Sequence, residues 1–163
     1  PKGSSFLYVA KNFQKNMNPQ IMSWGEQGDD PGPSQFLMDF QWQGTKDMSA
    51  FLAIPSAIRF LQKNKWREKS VISKNLISHL AGRLKDILGT ESLFKNRNWI
   101  GQMISYPLPM DTPINLKDML WNNFKIEVPI FEWKKRKFIR VSAHFYNDQK
   151  DMDHLIKALK EMF

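Results

Sequence analysis

The stretch Phe138-Ile139-Arg140-Val141-Ser142-Ala143-His144-Phe145-Tyr146-Asn147, running on through Asp148 to Phe163, decides how this chain is read. Ile139, Val141, Ala143 and Phe145 alternate with Phe138, Arg140, Ser142 and His144, the period of two of a strand with one face on a core. Asn147 or Asp148 can then cap a helix, with Asp151 and Asp153 in its first turns, where the helix dipole favours negative charge. Met152, Leu155, Ile156, Leu159 and Phe163 fall on one side of that helix and read as core. Arg140 is the odd residue, a cation on a strand, aimed away from the packed face and close to a helix start. A guanidinium there can fork onto a carboxylate through two parallel hydrogen bonds; periodicity alone is equally satisfied by a solvated strand arginine.

Working outward, Lys134-Lys135-Arg136-Lys137 reads as a hairpin tip, preceded by a strand through Ile126, Val128 and Ile130 in which Pro129 marks an edge or a bulge. Asn115 can cap a short helix with Leu116, Met119, Leu120 and Phe124 inward. Trp99 to Tyr106 reads as a further strand, closed by Pro107-Leu108-Pro109. The order strand, helix, strand, strand, helix makes a small α+β domain, a three-stranded antiparallel sheet with helices on one face. Before it, residues 63–88 form a long helix with Trp66, Ile72, Leu76, Leu80, Leu84, Ile87 and Leu88 as its stripe, His79 on the flank of that stripe, partly buried, and Gly89 at its end.

The N-terminal third is looser. Pro1-Lys2-Gly3 turns into a strand over Ser4 to Val9, and Lys11 to Phe40 reads as a long connection rich in turn formers, with Ile21, Met22 and Trp24 tucked against the body. Its Gly-rich part carries Glu26, Asp29 and Asp30, which would repel a phosphate. Asp47 is a plausible N-cap for a helix through Phe51, Leu52, Ile54, Ile58 and Leu61, with a kink or a second start at Pro55. Gly44 and Thr45 stand just before that start, where backbone N–H groups, a hydroxyl and the dipole make an anion site; a simple capped turn has the same local signature.

Composition narrows the classes. With 42% apolar residues, six Trp and twelve Phe, the chain can fill a core and is not a disordered one. No apolar run approaches a membrane span, and no Cys is available for a disulfide, a thiolate metal site or a nucleophile. His79, His144 and His154 have no metal-ligand spacing. The net charge of +8 leaves room for an anionic partner. Lys63, Lys65, Arg67, Lys69 and Lys74 with Trp66, and the tip Lys134–Lys137, are what a nucleic-acid-binding module would use, though helix faces and hairpin tips are also where solvated lysines sit.

The motif Arg140-Val141-Ser142-x-x-x-Tyr146-Asn147, followed by an acidic helix start and Leu155-Ile156-x-x-Leu159, resembles the C-terminal signature of the class V aminotransferases, pyridoxal-phosphate enzymes of fold type I. The isopenicillin N epimerase-like branch is the nearest in pattern. The resemblance implies that Arg140 holds the α-carboxylate of an amino-acid substrate. Trp42-x-Gly44-Thr45-x-Asp47-x-Ser49 is similar to the segment whose threonine reaches the cofactor phosphate of the neighbouring subunit, which makes Thr45, with Gly44, a cofactor-binding position in a homodimer.

The opening Pro1-x-Gly3 turn resembles the one that follows the Schiff-base lysine, so that lysine is expected upstream of Pro1; Lys2 is not its equivalent, and no catalytic residue is assigned within residues 1–163. On this pattern residues 1–62 end a large cofactor-binding α/β domain, 63–98 form a linking helix and 99–163 the small domain. The expected protein is a cytoplasmic enzyme on an amino acid, of epimerase, aminotransferase or lyase type, with no nucleic acid or membrane partner. The desulfurase branch carries a cysteine shortly before the strand arginine, and Ile126 to Phe138 holds none, which closes the persulfide route.

Overall fold

A computed structural model describes residues 3–26, 34–41 and 44–163. The expectations for Pro1 and Lys2, for the Gly-rich part with Asp29 and Asp30, and for Trp42 lie outside the described residues. The chain divides into two units, Pro1–Leu61 and Gln62–Phe163.

The first unit consists of short helices: α1 (Lys11–Gln14), a 3-10 turn at Trp24–Glu26, α2 (Gln35–Gln41), α3 (Ser49–Leu52) and α4 (Ile54–Lys63), whose last turn enters the second unit. Ser5–Val9 is not a strand here, and Phe6 and Tyr8 are 94% and 81% exposed. A strand exists only as a ladder, and no described residue supplies the other rung. Ile21, Met22 and Trp24 stand exposed instead of tucking inward. Gly25 is needed where it is, since a Cβ there would lie 1.9 Å from the Met38 carbonyl oxygen. The break at Pro55 is a second helix start. α3 ends at Leu52, and Pro55 sits in the first turn of α4, where its missing N–H has no acceptor to lose.

The second unit is the small α+β body. α5 (Trp66–Leu88) begins after Lys65 in the left-handed region and ends at Gly89, φ 61°, whose N–H donates to the Lys85 carbonyl. Its buried face is Ser73, Ile77, Leu80, Leu84 and Leu88. The expected stripe was thus one residue out at its start: Ile72 is 61% exposed, and Ile77 takes the core position. His79 is also exposed. β1 (Met103–Pro107) is shorter than expected, because Trp99 belongs to a 3-10 turn, Arg97–Trp99, and is exposed.

α6 (Leu116–Phe124) buries Leu116 and Leu120. β2 (Ile130–Trp133) starts four residues later than the Ile126 alternation suggests, with Pro129 just outside it. Lys134 and Lys135 make the two-residue turn to β3 (Arg136–Ser142), both with positive φ, 49° and 61°. The strands are antiparallel in the order β1-β3-β2. α7 (Gln149–Lys160) is capped by Asp148, which accepts from the backbone N–H groups of Lys150 and Asp151, while the Asp151 carboxylate accepts from the Asp148 N–H. Its Met152, Leu155, Ile156 and Leu159 are buried, whereas Phe163 is 40% exposed and outside the core.

One cluster joins Ile104, Tyr106, Ile139 and Val141 of the sheet to Leu80 and Leu84 of α5, Leu120 of α6 and Leu155 of α7. The helices therefore cover one face of the sheet. No helix among the described residues is long and apolar enough to cross a membrane.

Candidate active site

β3 is the middle strand, so its side chains have neighbours on both sides. Because Ile139 and Val141 enter the core, strand alternation sends Phe138, Arg140 and Ser142 to the opposite face. Met103 and Ser105 of β1 join them by register, as do Phe131 and Trp133 of β2. Phe138 is 1% exposed even on that side, because the Phe131 ring stacks on it at 5.6 Å between centroids and Trp133 lies at 6.3 Å. Arg140 is exposed at the edge of this aromatic floor. Its backbone is fixed by donation from its N–H to the Pro129 carbonyl at 2.9 Å. Among the described residues its guanidinium has no hydrogen-bond or ion-pair partner, which leaves its donors available to an incoming carboxylate.

The chain leaves β3 through His144, Phe145 and Tyr146 into the α7 cap. The His144 N–H donates to the Asn147 side-chain oxygen at 2.9 Å, and the Asn147 amide donates to Asp151 at 3.0 Å, so the loop and the helix start are tied together. The His144 imidazole stacks on Trp66 of α5 at 4.5 Å and on Tyr146 at 5.1 Å. Its Nδ1 is buried with no hydrogen-bond partner among the described residues. Beside it an open cavity of about 320 Å³ is lined by residues including Met103, Ser142, His144, Tyr146 and Asn147. It begins at Ser142, two residues along β3 from Arg140.

Gly44 and Thr45 belong to the first unit. Gly44 has φ 87° with open space where a Cβ would stand, and Thr45 is exposed with no hydroxyl partner among the described residues. Gly44 and Thr45 do not stand directly before a helix start. α3 begins only at Ser49, its cap position is Met48, and the Asp47 carboxylate already accepts from the Ser49 N–H at 2.8 Å and hydroxyl at 2.9 Å. Those two donations hold the Asp47 carboxyl below the usual carboxylate range. What remains is a hydroxyl and the backbone of an open glycine turn, a donor set that suits phosphate oxygens. No group of three or more His, Cys, Asp or Glu among the described residues could hold a metal ion.

No family model matches this sequence. It is 31% identical, over 99% of its length, to an isopenicillin N epimerase of Amycolatopsis lactamdurans and 28% identical, over 98%, to one of Streptomyces clavuligerus. The chain is homologous to the isopenicillin N epimerases. It spans 44% and 43% of the length of those two epimerases. A putative L-cysteine desulfhydrase of Oryza sativa subsp. japonica is 26% identical over 77% of this chain and 31% of that protein. Among solved structures, 8-amino-7-oxononanoate synthase of Francisella tularensis matches 77% of this chain and 35% of its own, with TM-score 0.55 and 19% identity. That likeness is one of fold. The expected three-stranded antiparallel sheet with helices on one face is the fold of the second unit.

The structure thus sets Arg140 on the open sheet face and Gly44 with Thr45 in an exposed turn of the other unit. Sequence reading missed Ser105, whose place opposite Arg140 depends on a register with no local signal. It placed His144 on the polar side of the strand without its stacking on Trp66, which lies 78 positions earlier in the sequence.

Proposed function

We propose that this chain is part of a pyridoxal-phosphate-dependent enzyme acting on an amino acid, of epimerase, aminotransferase or lyase type and not a cysteine desulfurase. The observation that carries the reading is an arginine with free donors on the open face of the sheet, in a chain whose relatives include two epimerases. Residues up to about 62 would belong to the large cofactor domain, 63–98 would link, and 99–163 would form the small substrate-facing domain. Bound pyridoxal phosphate would supply the electron sink that makes a bond at Cα breakable.

The residues of this chain bind and orient. Arg140 receives the α-carboxylate on two parallel N–H donors and so fixes the rotation of the amino acid about Cα. The pairing strengthens as water leaves the sheet face. Thr45 donates its hydroxyl to the cofactor phosphate, across a homodimer interface. Ile126 to Phe138, the interval in which the desulfurase branch carries its cysteine, holds no Cys, which supports the exclusion of the desulfurase route and leaves a desulfhydrase-like elimination within the lyase option.

The test is proton exchange at Cα. The complete protein, loaded with pyridoxal phosphate, is incubated with single L-amino acids in D2O and followed by NMR. Loss of the α-proton signal is expected for at least one of them; retained configuration, inversion, keto acid or released ammonia then separates the reaction types. No exchange with any amino acid would defeat the reading.

A further inference from the structure

The open sheet face holds more than one unused donor. Its inward partners fix which side chains it carries: Met103, Ser105 and Pro107 from β1, Arg136, Phe138, Arg140 and Ser142 from β3, Phe131 and Trp133 from β2. None of these is acidic; two are arginines, two are serines and the rest are apolar. Ser105 lies directly opposite Arg140 in the register. The Arg140 N–H points the other way, to the Pro129 carbonyl, so Arg140 and Ser105 form a non-hydrogen-bonded antiparallel pair. In such pairs the Cα atoms stand about 4.5 Å apart and the side chains are at their closest.

Ser142 follows on the same face two residues along. Ser105 is half-buried, yet among the described residues neither its hydroxyl nor that of Ser142 has a hydrogen-bond partner. Water still reaches the Ser105 oxygen, so both hydroxyls are donors that a ligand on this face can take over from solvent.

We infer that Ser105 and Ser142 complete the carboxylate site of Arg140. Their hydroxyls donate to the carboxylate from either side of the guanidinium fork, with the buried Phe138 ring as the apolar floor beside it. The two serines are positioning residues: they set the tilt of the carboxylate plane on the sheet, while Arg140 supplies the charge. This assignment rests on the proposed role of Arg140 and deepens it.

The experiment uses the complete pyridoxal-phosphate-loaded protein and two probes, L-alanine and ethylamine, the latter lacking only the carboxylate among the groups that matter here. Binding is read from the cofactor absorbance for the unaltered protein, Ser105→Ala, Ser142→Ala and Arg140→Ala. Loss of one hydrogen bond to a charged group is expected to weaken L-alanine about tenfold in Ser105→Ala. The Ser142→Ala loss is smaller, since that side chain is exposed, and ethylamine binding is unchanged in both. If Arg140→Ala weakens L-alanine while both serine variants bind it as the unaltered protein does, this inference fails and the arginine role survives. If Arg140→Ala leaves L-alanine binding intact, both fail. Equal losses for L-alanine and ethylamine in the serine variants would mark a structural effect and also overturn the inference.

Discussion

Ile72 and Ile77 lie on the same helix five residues apart, and the structure assigns them opposite fates. Ile77 is 0% exposed in the cluster with Leu80 and Leu84, whereas Ile72 is 61% exposed. Ile77→Ala removes three buried carbons and leaves a cavity that β1 and α7 can only partly close, a loss of about 2–5 kcal/mol. Ile72→Ala removes mostly hydrated surface, and alanine's better helix propensity returns a few tenths of a kcal/mol, so its net effect is about zero, within ~0.5 kcal/mol. Urea unfolding followed by far-UV circular dichroism reads both. With a slope of about 1–3 kcal/mol per molar, a 3 kcal/mol loss moves the midpoint by roughly 1–3 M, while Ile72→Ala leaves it in place. Equal losses for the two variants, or a larger one for Ile72→Ala, would refute the helix register and with it the packing that supports β3.

Two other outcomes follow from local geometry. Lys134 and Lys135 hold a turn whose positive φ values suit Asn-Gly, and an L side chain in that region costs roughly 1–2 kcal/mol. The double change Lys134→Asn, Lys135→Gly should therefore raise the thermal midpoint by the equivalent of about 1 kcal/mol, after the loss of the Lys134 ammonium over Trp133; a lowered midpoint would contradict the turn. Asp153 is held below the usual carboxylate range by donation from the Arg83 guanidinium and then from Gln149. A carboxyl with a depressed folded pKa stabilises above its unfolded value, and the contribution is lost as pH falls through the folded one. Unaltered protein and Asp153→Asn should thus differ at about pH 6 and converge near about pH 2, with added salt shrinking the difference because both groups are half exposed. A gap that persisted in acid would contradict the pairing.

What the sequence disclosed was what is local. β3 and α7 were legible because a period of two and a period near 3.6 follow each other across a cap, and Asp148 and Asp151 form that cap as a reciprocal pair. The start of the α5 stripe was not. Ile72, Leu76 and Leu80 make as good a row as Ser73, Ile77 and Leu80, and the polar Ser73 hides the true one; its hydroxyl is satisfied by the Lys69 carbonyl. Ser5–Val9 has the composition of a strand, but strand formation is a property of pairs, and no described residue pairs with it. The two-lysine turn carries no Asn-Gly signal. The resemblance of residues 140–147 to a known signature pointed to Arg140, while its neighbours Ser105 and Pro129 are set by the pairing offsets of the two flanking strands, which no short window contains.

The central claim is that Arg140 receives a carboxylate, and a single titration tests it. L-alanine is added to the complete pyridoxal-phosphate-loaded protein and to its Arg140→Ala variant, with the cofactor absorbance as the signal. A weakening of about ten- to hundredfold in the variant, with the cofactor spectrum before addition unchanged, is the expected result for lost charge-assisted hydrogen bonds. Undiminished affinity in Arg140→Ala would contradict the account.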